Sequence, residues 1–106
     1  MNFAITTRGH KTPETLKAYI SDKLKRLDRF TDIIMDVEAV VSHEKLDQIV
    51  EFKAKLRHTV IRVKEKSEDL YKSVDLAIDS LERQIVRSKN KLKDHKKEKI
   101  VEKLES

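Results

Sequence analysis

From Met35 to Val41 and from Val50 to Leu56 core-type apolar side chains recur on every second residue, and from Leu70 onward they recur at helical spacing. That change of period limits the chain to a sheet followed by a helix, because a pattern of period 2 buries one face of a strand and a pattern of period 3.6 buries one stripe of a helix. In the first stretch Met35, Val37, Ala39 and Val41 alternate with Asp36, Glu38 and Ser42. In the second, Val50, Phe52, Ala54 and Leu56 alternate with Glu51, Lys53, Lys55 and Arg57. Both read as strands with one wet face. The connection HEKLD suits a hairpin, and Arg57, His58 and Thr59 form a tighter turn into a third strand whose Ile61 and Val63 face the core. This second turn lacks the Gly or Asn that tight hairpins prefer.

The ends of the chain complete the pattern. Asn2–Arg8 alternates, with Phe3, Ile5 and Thr7 on one side, as a short half-buried strand would, and Gly9 closes it. Thr12 offers an N-cap hydroxyl, Pro13 suits a first helical turn, and Glu14 complements the helix start. Leu16, Ile20, Leu24 and Leu27 then form one apolar stripe, widened by Tyr19 and Phe30. Ser67 is the expected cap of the last helix, with Glu68 and Asp69 in its first turn. Its stripe of Leu70, Val74, Ala77, Ile78, Leu81, Ile85 and Leu92 predicts a helix running to about Lys93 or beyond. The order is β-α-β-β-β-α. A first strand joined through a helix crosses over to lie parallel to its neighbour. The expected fold is therefore α+β: a mixed four-stranded sheet with both helices packed on one face.

At 106 residues this is one small domain. Cysteine is absent, which excludes disulfides and thiolate chemistry and fits a reducing compartment. The N-terminus MNFAITTRGHKT has neither a signal-peptide layout nor an apolar run near the length of a membrane span, so a cytoplasmic location is expected and no membrane partner. The formal net charge is +5, but its distribution is uneven. Residues 1–66 hold 14 Lys and Arg against 10 Asp and Glu, whereas residues 83–99 hold eight against two. Such asymmetry marks a local polyanion-binding surface better than the overall charge does.

On a helical wheel Arg83, Arg87 and Lys91 fall on the polar flank of the last helix, apart from Asp75, Asp79 and Glu82. On the first helix Lys23, Lys25, Arg26 and Arg29 make a second basic flank. Acids early and bases late also complement the helix macrodipole, but that effect is confined to the terminal turn and this basic run begins several turns earlier. Lys and Arg spaced along helices can follow a phosphate backbone. With Phe3, Tyr19, Phe30, Phe52 and Tyr71 mostly on apolar stripes and set aside for the core, stacking of single-stranded bases is disfavoured and recognition should rest on shape and backbone. His10, His43, His58 and His95 are scattered without metal-ligand or triad spacing, and one glycine excludes a Gly-rich phosphate loop. No catalysis, cofactor, metal or small-molecule substrate is expected.

The stretch Glu68 to His95, EDLYKSVDLAIDSLERQIVRSKNKLKDH, and the first helix TPETLKAYISDKLKRLDRF together resemble the ribosome hibernation-promoting factor family, also called ribosome-associated inhibitor or sigma-factor modulation proteins. The resemblance covers nearly all of residues 2–95. It implies a domain akin in layout to double-stranded RNA-binding domains that enters the decoding region of the small ribosomal subunit. There it would contact 16S rRNA, block messenger and transfer RNA, and stop translation under stress or in stationary phase. By position, Lys23, Arg26, Arg29, Arg83, Arg87, Lys89, Lys91 and Lys93 match the family's ribosome-facing bases, while Ser80 stands where relatives often carry one. Residues 1–95 would form the ribosome-binding domain and residues 96–106 a charged C-terminal tail or linker stub. Long members of the family continue into a dimerisation domain, so this domain alone would inactivate single ribosomes, with homodimerisation possible but not required. Two other readings are a protein-interaction module acting on a transcription factor and a generic double-stranded RNA binder.

Overall fold

The computed structural model describes residues 2–9 and 13–105, with side chains described as far as Lys91. The elements are β1 (Asn2–Thr7), α1 (Glu14–Leu24), a 3₁₀ segment (Lys25–Phe30), β2 (Ile34–Glu44), β3 (Asp47–Leu56), β4 (Val60–Ser67) and α2 (Leu70–Glu105). The sheet order is β1-β2-β3-β4, with β1 parallel to β2 and the other two pairs antiparallel. Both helices bury their apolar stripes against one face, as the alternation required. The core joins Leu16, Ile20 and Leu27 to Val37, Val50 and Phe52 of the sheet and to Val74, Ile78, Leu81 and Ile85 of α2.

Four local expectations are corrected. Pro13 stands at the N-cap of α1 with an extended ψ of 147°, and its carbonyl accepts the Leu16 and Lys17 N–H groups at 3.0 and 3.1 Å. It is therefore not a first-turn residue, and Thr12 lies outside the described residues. The first helix also does not stay α-helical to Phe30. Leu24, Leu27 and Phe30 are spaced by three, and a 3₁₀ segment, with three residues per turn, stacks all of them on the buried side.

Met35 does not face the core. A β-bulge in β2 sets Ile34 opposite Leu56 and Asp36 opposite Lys55, leaving Met35 as the extra residue, 47% exposed. Ile34 takes its place in the core at 3% exposure. Ser67 does not cap α2, because it is held as the last residue of β4 opposite Gln48. Asp69 is the cap, its Oδ1 accepting the Tyr71 N–H at 3.0 Å. Ser67 instead donates to the Asp69 carbonyl at 2.6 Å and lies 2.8 Å from Ser73 Oγ. Ser73 is the buried polar residue of the described structure and donates to the Gln48 carbonyl at 2.7 Å, tying α2 to β3.

The turns owe their shapes to different forces. Gly9 has φ +93°, and a Cβ there would lie 3.0 Å from His43 Nε2, so a side chain would be both strained and crowded. The β2–β3 hairpin places Lys45 at φ 55°. The turn after β3 lacks a glycine and is fixed from outside itself. Arg57 N–H donates to the Ile33 carbonyl at 3.0 Å, and His58 Nε2 is 2.6 Å from Ser88 Oγ on α2.

Candidate nucleic-acid interface

The two basic flanks read from the sequence differ in what surrounds them. On α1 and the 3₁₀ segment the cations face an acidic row on α2. Arg26 donates to Glu82 at 2.5 Å and to Asp79 at 2.8 Å. Arg29 reaches Glu82 at 3.3 Å with its guanidinium 4.5 Å from the Phe30 ring centre. Lys23 lies 3.8 Å from Asp75 and 5.2 Å over the Tyr19 ring. Asp75, Asp79 and Glu82 follow at intervals of four and three along α2, so all three point at the neighbouring helix. The bonds to Glu82 and then Asp79 push Arg26 still further toward its charged form.

Tyr19 belongs to the same seam. Its hydroxyl donates to Asp75 at 2.6 Å, and its ring meets Tyr71 edge to face at 4.8 Å. Donation to Asp75, followed by burial and the Asp75 charge, pushes the phenol up to about 12. A proton that the carboxylate already holds in a hydrogen bond is harder to remove.

The cations of α2 are arranged otherwise. Arg83, Arg87 and Lys91 are exposed and make no ion pair with a carboxylate among the described residues. Arg83 Nε donates only to the Asp79 carbonyl, at 3.4 Å. Arg87 and Lys91 form a ridge between two clefts and line both of them. One cleft, about 580 Å³, lies against β4 and includes His58 and Arg62. The other, about 590 Å³, lies toward α1 and includes Arg29 and Arg83. Lys89 turns inward, half-buried, with Nζ 5.7 Å from the Phe30 ring. The side chains of Lys93, Leu92 and His95 lie outside the described residues.

Two members of this surface were missed by sequence reasoning. Arg62 and His58 come from β4 and the turn before it, and the wheel that sorted the helices says nothing of which strand edge lies beside them. The available signal was the run of bases Arg62, Lys64 and Lys66 on one side of β4. The open face of the sheet is a weaker candidate because most of its charges are matched across strands, Arg62 opposite Lys53 being an exception. Asp36 stands opposite Lys55 and Glu38 opposite Lys53, while Lys64 approaches Glu51 at 3.9 Å and Lys66 approaches Asp47 at 3.8 Å. Among the described residues no cluster of His, Cys, Asp and Glu could hold a metal ion. None of the helices, over those residues, is long and apolar enough to cross a membrane.

A small α+β domain with a cationic helix ridge is the class that this fold and surface define. Residues 3–93 match the model of the family described as Sigma 54 modulation protein / S30EA ribosomal protein, and the chain belongs to that family. It is 32% identical over 89 residues to the ribosome hibernation promoting factor of Azotobacter vinelandii, covering 82% of this chain and 83% of that one. It is 30% identical over 95 residues to the Klebsiella oxytoca protein of the same name, covering 90% of this chain and all of its relative. Among solved structures, a ribosomal subunit interface protein from Coxiella burnetii superposes with a TM-score of 0.81 at 30% identity, covering 85% of this chain and 99% of that one. The N-terminal domain of Thermus thermophilus Protein Y gives 0.75 at 32% identity, covering 82% and 98%. The α+β fold with its mixed four-stranded sheet is thus the fold of ribosomal subunit interface proteins.

Proposed function

We propose that the chain is a ribosome hibernation factor, binding the small subunit in its decoding region and excluding messenger and transfer RNA. Its working location would be the cytoplasm, where ribosomes are, and it would act by occupancy, with no catalytic step. The observation that carries this reading is the ridge of Arg83, Arg87 and Lys91, three cations with no acidic partner among the described residues and a cleft on either side. Uncompensated bases on a rigid helix repel one another, and a backbone of phosphates relieves that repulsion while releasing counterions. Clefts on both sides let 16S rRNA phosphates approach from two directions, which suits folded RNA better than one extended strand.

Lys23, Arg26, Arg29 and Lys89 extend the surface toward α1, and Lys93 continues it along α2. The α1 cations bring less free charge because Asp75, Asp79 and Glu82 already share it. Residues 1–95 are the ribosome-binding unit in this reading and residues 96–106 a charged extension.

The test is sucrose-gradient sedimentation of ribosomes with this protein at two salt concentrations, alongside a double variant Arg83→Glu, Arg87→Glu. The wild type should travel with small subunits and whole ribosomes at low salt and leave them at high salt, and the folded double variant should stay at the top of the gradient. Normal association of that variant would overturn the proposal. Equal affinity for any long RNA duplex would replace it with a generic RNA binder.

A further inference from the structure

We propose that the cleft between β4 and α2 is a docking site for an acidic peptide segment that adds to the sheet as a fifth strand. The argument starts from the hydrogen-bond phase of β4. Leu56 N–H donates to the Thr59 carbonyl at 2.8 Å, so Thr59 turns its backbone toward β3. In an antiparallel ladder successive residues alternate direction, and with Ala54 opposite Ile61 and Lys53 opposite Arg62, Ile61 and Val63 bond inward as well. Val60, Arg62 and Lys64 then turn their N–H and C=O groups to the free edge. β4 is the last strand in the order, and no described backbone bond satisfies those groups.

That edge is one wall of the cleft. Thr59, Val60 and Arg62 face Arg87, Ser88 and Lys91 of α2 across about 580 Å³, and the contact between His58 and Ser88 closes one end. A strand edge walled by a helix is the geometry in which an extended peptide binds by main-chain pairing, with side-chain selectivity supplied by the wall.

Charge selects the occupant. Arg62, Arg87 and Lys91 line the cleft without an ion pair to any described residue, and no lining residue is acidic. A second copy of this chain pairing through the same edge would bring Arg62, Lys64 and Lys66 against themselves, the arrangement by which natural edges resist self-association. A strand with Glu or Asp at alternate positions turns them all to one face, where they meet Arg87 and Lys91 of α2, while its other face lies beside Val60 and Arg62. Val60, 46% exposed at this edge, adds an apolar contact that a phosphate backbone cannot use. RNA carries phosphate acceptors and 2′-hydroxyl donors, but not the N–H and C=O groups in strand register that pair with the outward backbone groups of Val60 and Arg62. The site shares His58, Arg62, Arg87 and Lys91 with the proposed RNA surface, so peptide and ribosome would compete for it.

The test uses the blocked hexapeptide TEVDVE, titrated into ¹⁵N-labelled full-length protein and followed by amide shifts and hydrogen exchange. Binding should slow exchange at the Val60 and Arg62 amides. N-methylation of the peptide's pairing amides should weaken it at least tenfold, and the basic peptide TKVKVK should not bind. Val60→Pro removes an outward N–H and leaves the β3 ladder intact. It should therefore lose the peptide by a similar factor and still sediment with ribosomes. If that variant fails to fold, the N-methylated peptide carries the same test from the ligand's side. Equal binding of the methylated and unmethylated peptides would overturn the proposal by reducing the contact to charge alone. It would also fall if a uridine hexanucleotide, and not the peptide, protected those amides.

Discussion

The Arg26 guanidinium donates to Glu82 at 2.5 Å and, through its other terminal nitrogen, to Asp79 at 2.8 Å, so a base on the first helical region spends its charge inside the fold. Glu82 also holds Arg29 at 3.3 Å. Arg87 has no such partner among the described residues. Arg87→Gln should therefore reduce the salt slope of ribosome association by about 0.7–0.9, the share of one neutralised phosphate. Arg26→Gln should change that slope less and cost stability instead, about 0.2–1 kcal/mol as for other exposed ion pairs. Glu82→Gln releases two cations and should tighten association at low salt. Anisotropy of labelled protein with ribosomes across a salt series separates the three variants; equal slopes for Arg26→Gln and Arg87→Gln would contradict this division.

Ser73 is buried where α2 crosses β3, and its hydroxyl donates to the Gln48 carbonyl at 2.7 Å and lies 2.8 Å from Ser67 Oγ. Ser73→Ala removes little volume but leaves a half-buried hydrogen-bond cluster incomplete. The cost should be about 1–3 kcal/mol. In a domain of this size each kcal/mol shifts the melting temperature by about 4–8 °C. A thermal melt within about 2 °C of wild type, well inside that scale, would mean that water or a rearranged Ser67 replaces the bond.

The sequence was most informative where one element determines its own pattern. Alternation from Met35 to Val41 and from Val50 to Leu56 and the stripe from Leu70 to Ile85 define two of the strands, the second helix and most of the core without reference to anything distant. The misplacements arose where two levels of structure compete. Ser67 has a good capping side chain, but β4 needs its backbone opposite Gln48, so the cap moves to Asp69. Met35 continues the apolar alternation, yet the bulge rotates it outward. At the candidate site the wheel placed Lys23, Arg26 and Arg29 on a basic flank and Asp75, Asp79 and Glu82 on an acidic one. That these flanks face each other depends on how two helices cross the sheet, which a pattern within either helix does not encode.

Lys45 occupies the left-handed region at φ 55° in the hairpin between β2 and β3. An L-residue with a Cβ pays about 1–2 kcal/mol there, whereas glycine does not. Lys45→Gly should therefore stabilise the domain by up to about 1 kcal/mol after the greater flexibility of its unfolded chain is counted. Since Lys45 is exposed and makes no described ion pair, ribosome association should be unaffected. A lower melting temperature for the glycine variant would show that the turn is held by contacts of the lysine stem.

The hydrogen bond from Tyr19 to Asp75 makes a prediction about alkaline stability. Its phenol is pushed up from 10.0 to about 12, chiefly because Asp75 accepts its proton at 2.6 Å. A group whose folded value is raised stabilises the fold fully below its unfolded value and loses that contribution as pH climbs to the folded one. The bond should therefore contribute in full below about pH 10 and fade between about pH 10 and 12. Tyr19→Phe removes both the proton and the bond. The variant should be less stable at neutral pH, and the gap to wild type should close across that alkaline window. Phenolate absorbance gives an independent reading, because the wild-type-minus-variant difference isolates Tyr19 and should rise with a midpoint near 12. A midpoint near 10 would mean that Asp75 does not hold the proton in solution, and the seam between α1 and α2 would then rest on its Arg and Lys contacts and the Tyr19–Tyr71 ring contact.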